Sequence, residues 1–440
     1  MIFDKEQRSK NSDCCKSQLT SKDLNIIMLN IHILRAKICM SKRLFSTRRW
    51  LGVLAMATIM PIMATTAQAQ VFRQIPSPPE LGLTSYILID ATSGEVLAEK
   101  NPDETLHPAS LTKMMTTYLT EAELHAGNIS RDDKVLISEK AWSLGGSTMF
   151  IEVGERVPVG ELLKGVIIVS GNDASVALAE HIAGSEGAFA QLMNSTAQQI
   201  GMNSSNFQNA SGWPAEDHYS TARDLATLSK HIVQDFPEYY AIHSEKYYQY
   251  GVDKKTGKPL RRQANRNRLL WTNPYVDGLK TGHIEATGYH LAVTSARDGR
   301  RLIAVLLGAK SEKQRADDAQ KLLTYGFRFF ENVDVKKGGQ PLQTVEVWKG
   351  DISEISVGIA EDLIVTVPRG SSKDLTATLT INPTLEAPIE QGQAIGSVKV
   401  MLDDELVTEV PLIAQQAVEK GGFFKRLWDS IVLFFTGLLA

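Results

Sequence analysis

The stretch that most constrains the fold is "GYHLAVTSARDGRRLIAVLLGAK", residues 288–310. Two apolar runs flank Asp298-Gly299, and an Asp-Gly pair between strand-like runs is the strongest short-range hairpin signal. A second strand signal lies near the other end of the same region. "SYILIDATSGEVLAEKN", from Ser85, alternates about a turn at Thr92-Ser93-Gly94. Between these two stretches the spacing is helical. "HPASLTKMMTTYLTEAEL" has Pro108 just ahead of its periodic part. "VPVGELLKGVIIVSGNDASVALAEHIAG" reads as a helix, a break at Ser170-Gly171-Asn172, and a second helix ending at Gly184. "STARDLATLSKHIVQDF" is a further helix, and "RADDAQKLLTYGFRFFENV" closes the region. Strands first and last with helices between them predict an α+β domain whose antiparallel sheet draws on both ends of the chain.

The pattern then changes. "QTVEVWKG", "DLIVTVPRG", "DLTATLTI", "GSVKVML" and "LVTEVPLI" are short alternating runs separated by Gly, Pro or Asp. Regular spacing of this kind predicts a small all-β domain over 332–413. Residues 414–440 end in "GGFFKRLWDSIVLFFTGLLA". On a helical wheel Phe423, Phe424, Leu427, Trp428, Ile431, Phe434, Phe435 and Leu438 share one side, and Lys425, Arg426, Asp429, Ser430 and Thr436 the other. That is the pattern of a helix lying in a membrane interface. Arg426 and Asp429 leave too few uncharged residues for a spanning helix.

The N-terminal residues read differently again. Lys42, Arg43, Arg48 and Arg49 precede an apolar stretch over 50–64, and Ala67-Gln68-Ala69 follows as a small-x-small site. This predicts a secretory signal peptide over 40–69, cut after Ala69. Residues 1–39 precede a complete signal and read as an upstream extension. Cys14, Cys15 and Cys39 all fall before Met40, so the exported part is expected to rest on neither disulfides nor thiols. The mature chain from 70 would then hold a catalytic domain to 331. A formal net charge of −3 gives no reason to expect a nucleic-acid partner.

Ser110 and Lys113 stand three apart at a helix start, one turn apart on the same face. A serine hydroxyl is a poor nucleophile until a base takes its proton, and a lysine serves if burial or another cation lowers its pKa. The helix N-terminus adds free N–H groups suited to a developing oxyanion. Ser170 and Asn172 sit at the break between two apolar helices, where a hydroxyl could pass a proton and an amide could hold a carbonyl. Each of these short patterns also occurs as an ordinary helix cap. Lys-Thr-Gly occurs twice. Lys255 lies in "QYGVDKKTGKPLRR", dense in Gly, Pro, Asp and Lys, and reads as a solvated turn. Lys280 lies in "VDGLKTGHIE", which leads into the best strand pair. There Gly282 would let a ligand backbone approach the strand edge. Sheet position selects Lys280.

In that order, SxxK, SxN and KTG are together far more specific than any one of them, and they resemble the acyl-serine arrangement of penicillin-binding proteins and class A β-lactamases. Within that group "PASLTKMMT", "SGNDAS", "NRNRLLW", "VDGLKTGH" and "KLLTYGFRFFE" resemble the low-molecular-mass D-alanyl-D-alanine carboxypeptidases of the penicillin-binding protein 5 and 6 type. The resemblance implies a penicillin-binding-protein-like catalytic fold and a set of roles. Ser110 would attack the carbonyl between the last two D-alanines of a peptidoglycan stem peptide, and Lys113 would take its proton. Ser170 would relay a proton to the leaving amine with Lys280 close by, and Asn172 would hold the peptide. The N–H groups of Ser110 and His283 would form the oxyanion hole. Thr281, Arg266 and Arg315 would meet the terminal carboxylate, with Arg266 in the better-matching segment. No metal or organic cofactor is implied. β-Lactams would acylate the same Ser110, and the enzyme would work on the periplasmic face of the inner membrane.

Two other readings share the core. A class A β-lactamase would use a glutamate-activated water, and no convincing Glu-x-x-Leu-Asn stretch follows Ser170. An endopeptidase or transpeptidase is closer. A non-catalytic wall-binding protein would be expected to have lost Ser110, Lys113 or Lys280, and all are present.

Overall fold

The computed structural model describes residues 75–252 and 255–439, side chains being described to 436. They belong to one unit, Val71–Ala440. The expected extension and signal peptide lie outside the described residues.

Strands β1 (Ser85–Asp90) and β2 (Val96–Lys100) form the first hairpin. Strands β3 (Val276–Ile284), β4 (Gly288–Arg297) and β5 (Arg300–Ala309) form the last meander, and β1 joins it by pairing with β5. The antiparallel order is β2-β1-β5-β4-β3, so the sheet draws on both ends of the domain. Its faces are both covered. Ile87, Ala292, Ile303 and Val305 pack toward α1 (Lys113–His125) and α5 (Ala222–Gln234). Leu88, Leu291, Val293, Ala304 and Leu306 pack toward α6 (Glu312–Phe329). Successive strand residues point to opposite faces, and burial of both faces explains why these runs are apolar almost without interruption.

Register carries Lys280 into the site. Ile87 pairs with Val305, Val305 with Ala292, and Ala292 with Lys280. Lys280 thus extends a row whose other members face the helical layer. A separate core gathers around Leu162, Val166, Val176 and Leu178, built from α2 (Val159–Ile168) and α3 (Asn172–Ala183). Helix α4 (Glu186–Gln199), capped by Ser185, has no counterpart in the sequence expectation.

Strand β6 (Phe330–Lys336) follows α6 directly and pairs with β9 (Leu363–Pro368). A five-stranded antiparallel sheet lies beside them, in the order β7 (Pro341–Glu346), β8 (Glu354–Gly358), β12 (Glu405–Ala414), β11 (Ala394–Leu402), β10 (Leu375–Ile381). The chain ends in α7 (Phe423–Leu439). Among the described residues no helix is long and apolar enough to cross a membrane.

Candidate active site

Ser110 sits on a short 3-10 turn, Ala109–Thr112, that runs straight into α1. Ala109 has φ 50° and Ser170 has φ 62°, so left-handed backbone lies beside Ser110 and at Ser170 itself. Such conformations cost about 1–3 kcal/mol and persist where the surroundings over-determine them. Gly212 shows one of those constraints. A Cβ there would lie 1.9 Å from the Ala109 carbonyl oxygen, closer than any side chain could stand.

Lys113 is the first residue of α1 and is fully buried. Its Nζ donates to Ser110 Oγ at 3.2 Å, to Asn172 Oδ1 at 2.7 Å and to the Ser211 carbonyl at 2.5 Å. Burial pushes its pKa down to about 7; the charge of Arg266 pushes the same way, and Asp173 opposes both. An amine with that pKa is in part unprotonated at neutral pH and can accept a proton there. Asn172 opens α3, and its Nδ2 donates to the Gly145 carbonyl at 2.7 Å.

Lys280, also buried, donates from Nζ to Ser170 Oγ at 2.9 Å and to the Thr281 carbonyl at 2.9 Å. Burial holds its pKa well below the ordinary value, helped by the charges of Lys113, Arg266 and Arg315. Ser110, Lys113, Asn172, Ser170 and Lys280 are thus brought together from a turn, a helix start, an interhelical break and a strand. Lys255 stands elsewhere, in an exposed turn between the paired segments Tyr247–Tyr248 and Gln263–Ala264.

The glycine of the strand motif answers to a different neighbour from the one expected. A Cβ on Gly282 would lie 3.0 Å from the Pro108 carbonyl oxygen and 3.3 Å from the Leu111 nitrogen. The close approach is by the chain's own serine-bearing turn, not only by a ligand. Thr281 is buried beside it, and His283 is exposed with its ring stacked 4.0 Å from that of Tyr289.

The two arginines part company. Arg266 is exposed and makes no ion pair among the described residues. Arg315 is buried on α6, and its guanidinium donates to the carbonyls of Gly282 at 3.4 Å, His290 at 3.3 Å and Arg266 at 3.4 Å. A buried group committed to three backbone carbonyls ties the motif strand to the 266 segment. The resemblance had given it, with Arg266 and Thr281, to the terminal carboxylate of a substrate.

Several supporting residues were not foreseen. Asp173 accepts from the backbone N–H of Met149, Phe150 and Ala174 at 2.9–3.1 Å, fixing the loop that holds Asn172. Asn209 Oδ1 accepts from the N–H of Ser211, Gly212 and Trp213, presenting the Ser211 carbonyl to Lys113. His218 Nε2 pairs with Thr112 Oγ1 at 2.8 Å, and burial holds its pKa down to about 3, so it is neutral. Asp173 follows Asn172 directly, but nothing local reveals the Met149 and Phe150 N–H groups it collects; Asn209 gathers its N–H groups from its own turn, far in sequence from the motif residues. Among the described residues no group of His, Cys, Asp and Glu could hold a metal ion.

Residues 72–311 match the family model described as D-alanyl-D-alanine carboxypeptidase, and residues 330–420 match the penicillin-binding protein 5 C-terminal domain. The chain is 43% identical over 392 residues to D-alanyl-D-alanine carboxypeptidase DacC of Escherichia coli K12, covering 87% of this chain and 96% of that protein. It is 40% identical over 370 residues to DacA of the same strain, covering 82% and 90%. Among solved structures, penicillin-binding protein 5 from Haemophilus influenzae superposes with a TM-score of 0.74 at 38% identity, covering 78% of this chain and 99% of that one. Penicillin-binding protein 6B from Escherichia coli gives 0.64 at 34% identity, covering 77% and 97%.

Proposed function

The chain belongs to the D-alanyl-D-alanine carboxypeptidase family of serine peptidases, and from that membership we propose how its residues divide the reaction. Ser110 Oγ attacks the carbonyl carbon between the two terminal D-alanines of a stem pentapeptide while Lys113 Nζ takes the hydroxyl proton. The observation that carries this reading is the buried Lys113 amine, 3.2 Å from Ser110 Oγ and with its pKa brought to about 7. The N–H groups of Ser110 and His283 receive the oxyanion, supported by the close seating of Gly282 on the Ser110 turn. The C–N bond then breaks. The leaving amine takes a proton through Ser170 Oγ, which Lys280 holds at 2.9 Å. Free D-alanine departs, and water attacks the acyl-enzyme to release the shortened peptide and regenerate the serine.

Cations around the site favour a substrate ending in a carboxylate. Thr281 and the exposed Arg266 are its contacts, and Arg315 positions the strand behind them. Asn172 Nδ2 is already engaged by Gly145, so its hold on the peptide is shared with its role in placing Lys113. β-Lactams acylate the same serine, and their tethered leaving group slows release. The N-terminal signal directs export, and the exposed apolar side of α7 seats the enzyme on the periplasmic face of the membrane.

The test is intact mass over time with benzylpenicillin, beside D-alanine release from a soluble pentapeptide. A lasting adduct is expected on the wild type and on Lys255→Ala, none on Ser110→Ala, and a slowed one on Lys280→Ala. Rapid drug hydrolysis without an adduct would instead favour a β-lactamase, and an adduct on Ser110→Ala would sink the assignment.

A further inference from the structure

Three imidazoles stand around the turn that carries Ser110, and the chemistry assigned to that serine uses none of their rings. Each sets Nδ1 against a main-chain N–H. His107 Nδ1 accepts from Ala109 at 3.1 Å, His218 Nδ1 from Gln208 at 3.3 Å, and His290 Nδ1 from Gly308 at 3.1 Å. A ring nitrogen that accepts carries no proton, so all three rings are neutral with the proton on Nε2. The direction of the next bonds follows. His218 Nε2–H donates to Thr112 Oγ1 at 2.8 Å, and His290 Nε2–H donates to Thr287 Oγ1 at 2.9 Å. The Thr287 hydroxyl is left to donate to the His107 carbonyl at 3.2 Å. The serine turn is thus gripped at both ends by imidazole, at Ala109 by His107 and at Thr112 by His218.

His107 holds the residue most in need of holding. Ala109 is not glycine, yet it has φ 50°, and it immediately precedes the nucleophile. A bond from a side-chain acceptor to the N–H two residues on is the geometry of an Asx turn, here with an imidazole in place of an amide or carboxylate. The His107 carbonyl is tied through Thr287 to the turn between β3 and β4. His107 therefore joins the serine turn to the hairpin that carries Lys280 and Gly282. Its Nε2 is buried and makes no hydrogen bond among the described residues, although the Trp213 backbone acts on the ring so as to favour a charge.

We propose that His107 is a positioning residue for the nucleophile: its unprotonated Nδ1 holds the Ala109 N–H, and with it Ser110, in place for attack, and protonation of the ring releases that grip. The inference rests on Ser110 being the residue acylated. A proton on Nδ1 would set two donors face to face across 3.1 Å, and the amide would lose its acceptor. The titratable groups around the ring are His218, with its centroid 5.0 Å away, His290 beyond Thr287, and Lys113 at the start of α1; Arg315 on α6 adds its charge at His290. Burial holds His218 and His290 down to about 3, and a charge on His107 would push both the same way. His107 is the least buried of the three rings, so it takes the first proton as pH falls. Burial still keeps its pKa below the ordinary 6.5, under the Lys113 value of about 7.

The experiment uses the full chain and follows acylation by benzylpenicillin across pH, as intact mass in quenched samples. Below the Lys113 midpoint the wild-type rate should fall about tenfold per pH unit, then more steeply as His107 also takes a proton. In His107→Asn the side-chain oxygen offers the same N–H an acceptor that does not titrate. That variant should keep a plateau rate within about threefold of wild type and show the single-proton slope throughout. His107→Leu fills similar space without an acceptor. It should lose at least about tenfold in the rate at saturating drug, with the half-saturating concentration little changed. A leucine variant within twofold of wild type would overturn the proposal. So would an asparagine variant as slow as the leucine one, because shape rather than the acceptor would then be what matters. A wild-type limb no steeper than that of His107→Asn would overturn it too, and this comparison decides the matter even if His107→Leu does not fold. Absence of any adduct on the wild type would strike the Ser110 assignment and the inference together, whereas the other outcomes strike His107 alone.

Discussion

Lys113 and Lys280 are two buried amines in one small volume, each held below its ordinary pKa chiefly by burial and further by the positive charges around it. A base must be unprotonated to act, so acylation should slow as pH falls through the Lys113 pKa. The acylation rate with a β-lactam is expected to rise with pH to a plateau, with its midpoint near the Lys113 value of about 7. Lys113→Arg, which cannot deprotonate in this range, should lose about 10²–10⁴-fold, the usual contribution of a positioned base. A flat profile, or an arginine variant that acylates normally, would remove Lys113 from the chemistry. Gly282 makes a second claim at this scale. In Gly282→Ala the new methyl meets the Pro108 carbonyl at 3.0 Å and the Leu111 nitrogen at 3.3 Å, so strand and turn must part by a few tenths of an ångström. Displacements at a reacting centre cost up to about 10²-fold. The acylation rate should fall at least tenfold with little change in melting temperature.

Elements matter because they carry distant residues to the same few ångströms. Helix α3 brings Asn172 to Lys113 only because Asp173 collects the N–H groups of Met149, Phe150 and Ala174. Asp173→Asn would turn one acceptor into a donor facing those N–H groups, at a cost of about 1–3 kcal/mol in a denaturant titration. It has a second, signed consequence. The Asp173 charge favours the Lys113 ammonium, so its loss should move the midpoint of the acylation profile to lower pH. A stability loss with an unmoved midpoint would leave Asp173 a purely structural residue. The same residues explain what could be read from sequence. Ser110, Lys113, Ser170, Asn172 and Lys280 lie in short patterns whose spacing alone suggests a shared face or a turn, and strand context separated Lys280 from Lys255. Asp173 was not legible because the Met149 and Phe150 N–H groups it collects lie in an earlier loop, and Asn209 was not because only the fold sets the Ser211 carbonyl of its local turn against Lys113. Arg315 was named through the resemblance alone, and its bonds to backbone carbonyls are visible only in the fold. Helix α4 did offer a signal, since Phe189, Ala190, Met193 and Ala197 recur at helical spacing and are buried.

At the scale of the whole chain, polar bonds fasten the β domain to the catalytic one and the terminal helix to the β domain. Arg300 pairs with Asp90 at 3.0 Å and donates to the Phe330 carbonyl at 2.6 Å, while Ser93 Oγ meets Thr366 Oγ1 at 2.6 Å. At the far end, Gly421 N–H donates to the Lys349 carbonyl at 2.8 Å, just ahead of α7. Without a further tie the Gly421-Gly422 pair would be a swivel, since glycine backbone is conformationally permissive. Asp429 supplies the tie. It is 7% exposed, accepts from the Lys349 N–H at 2.7 Å and holds Lys425 at 3.1 Å, so α7 is pinned to the domain at this carboxylate. The opposite face, with Phe424 84% and Trp428 67% exposed, stays open. Under the membrane reading, seating such side chains in a lipid interface is worth about 1.5–3 kcal/mol for each one fully buried, whether or not Asp429 is present. Orientation, by contrast, depends on Asp429. Asp429→Ala should bind lipid vesicles within about twofold of wild type, while the Lys349 amide exchanges its hydrogen at least tenfold faster. The variant should cleave soluble pentapeptide normally and lose activity only on wall polymer presented to the vesicle-bound enzyme. Trp428→Ser should show the reverse order of defects, losing vesicle binding while keeping the Lys349 amide protected. If Asp429→Ala weakened vesicle binding as much as Trp428→Ser does, the carboxylate would belong to the lipid contact rather than to a hinge that aims the catalytic domain.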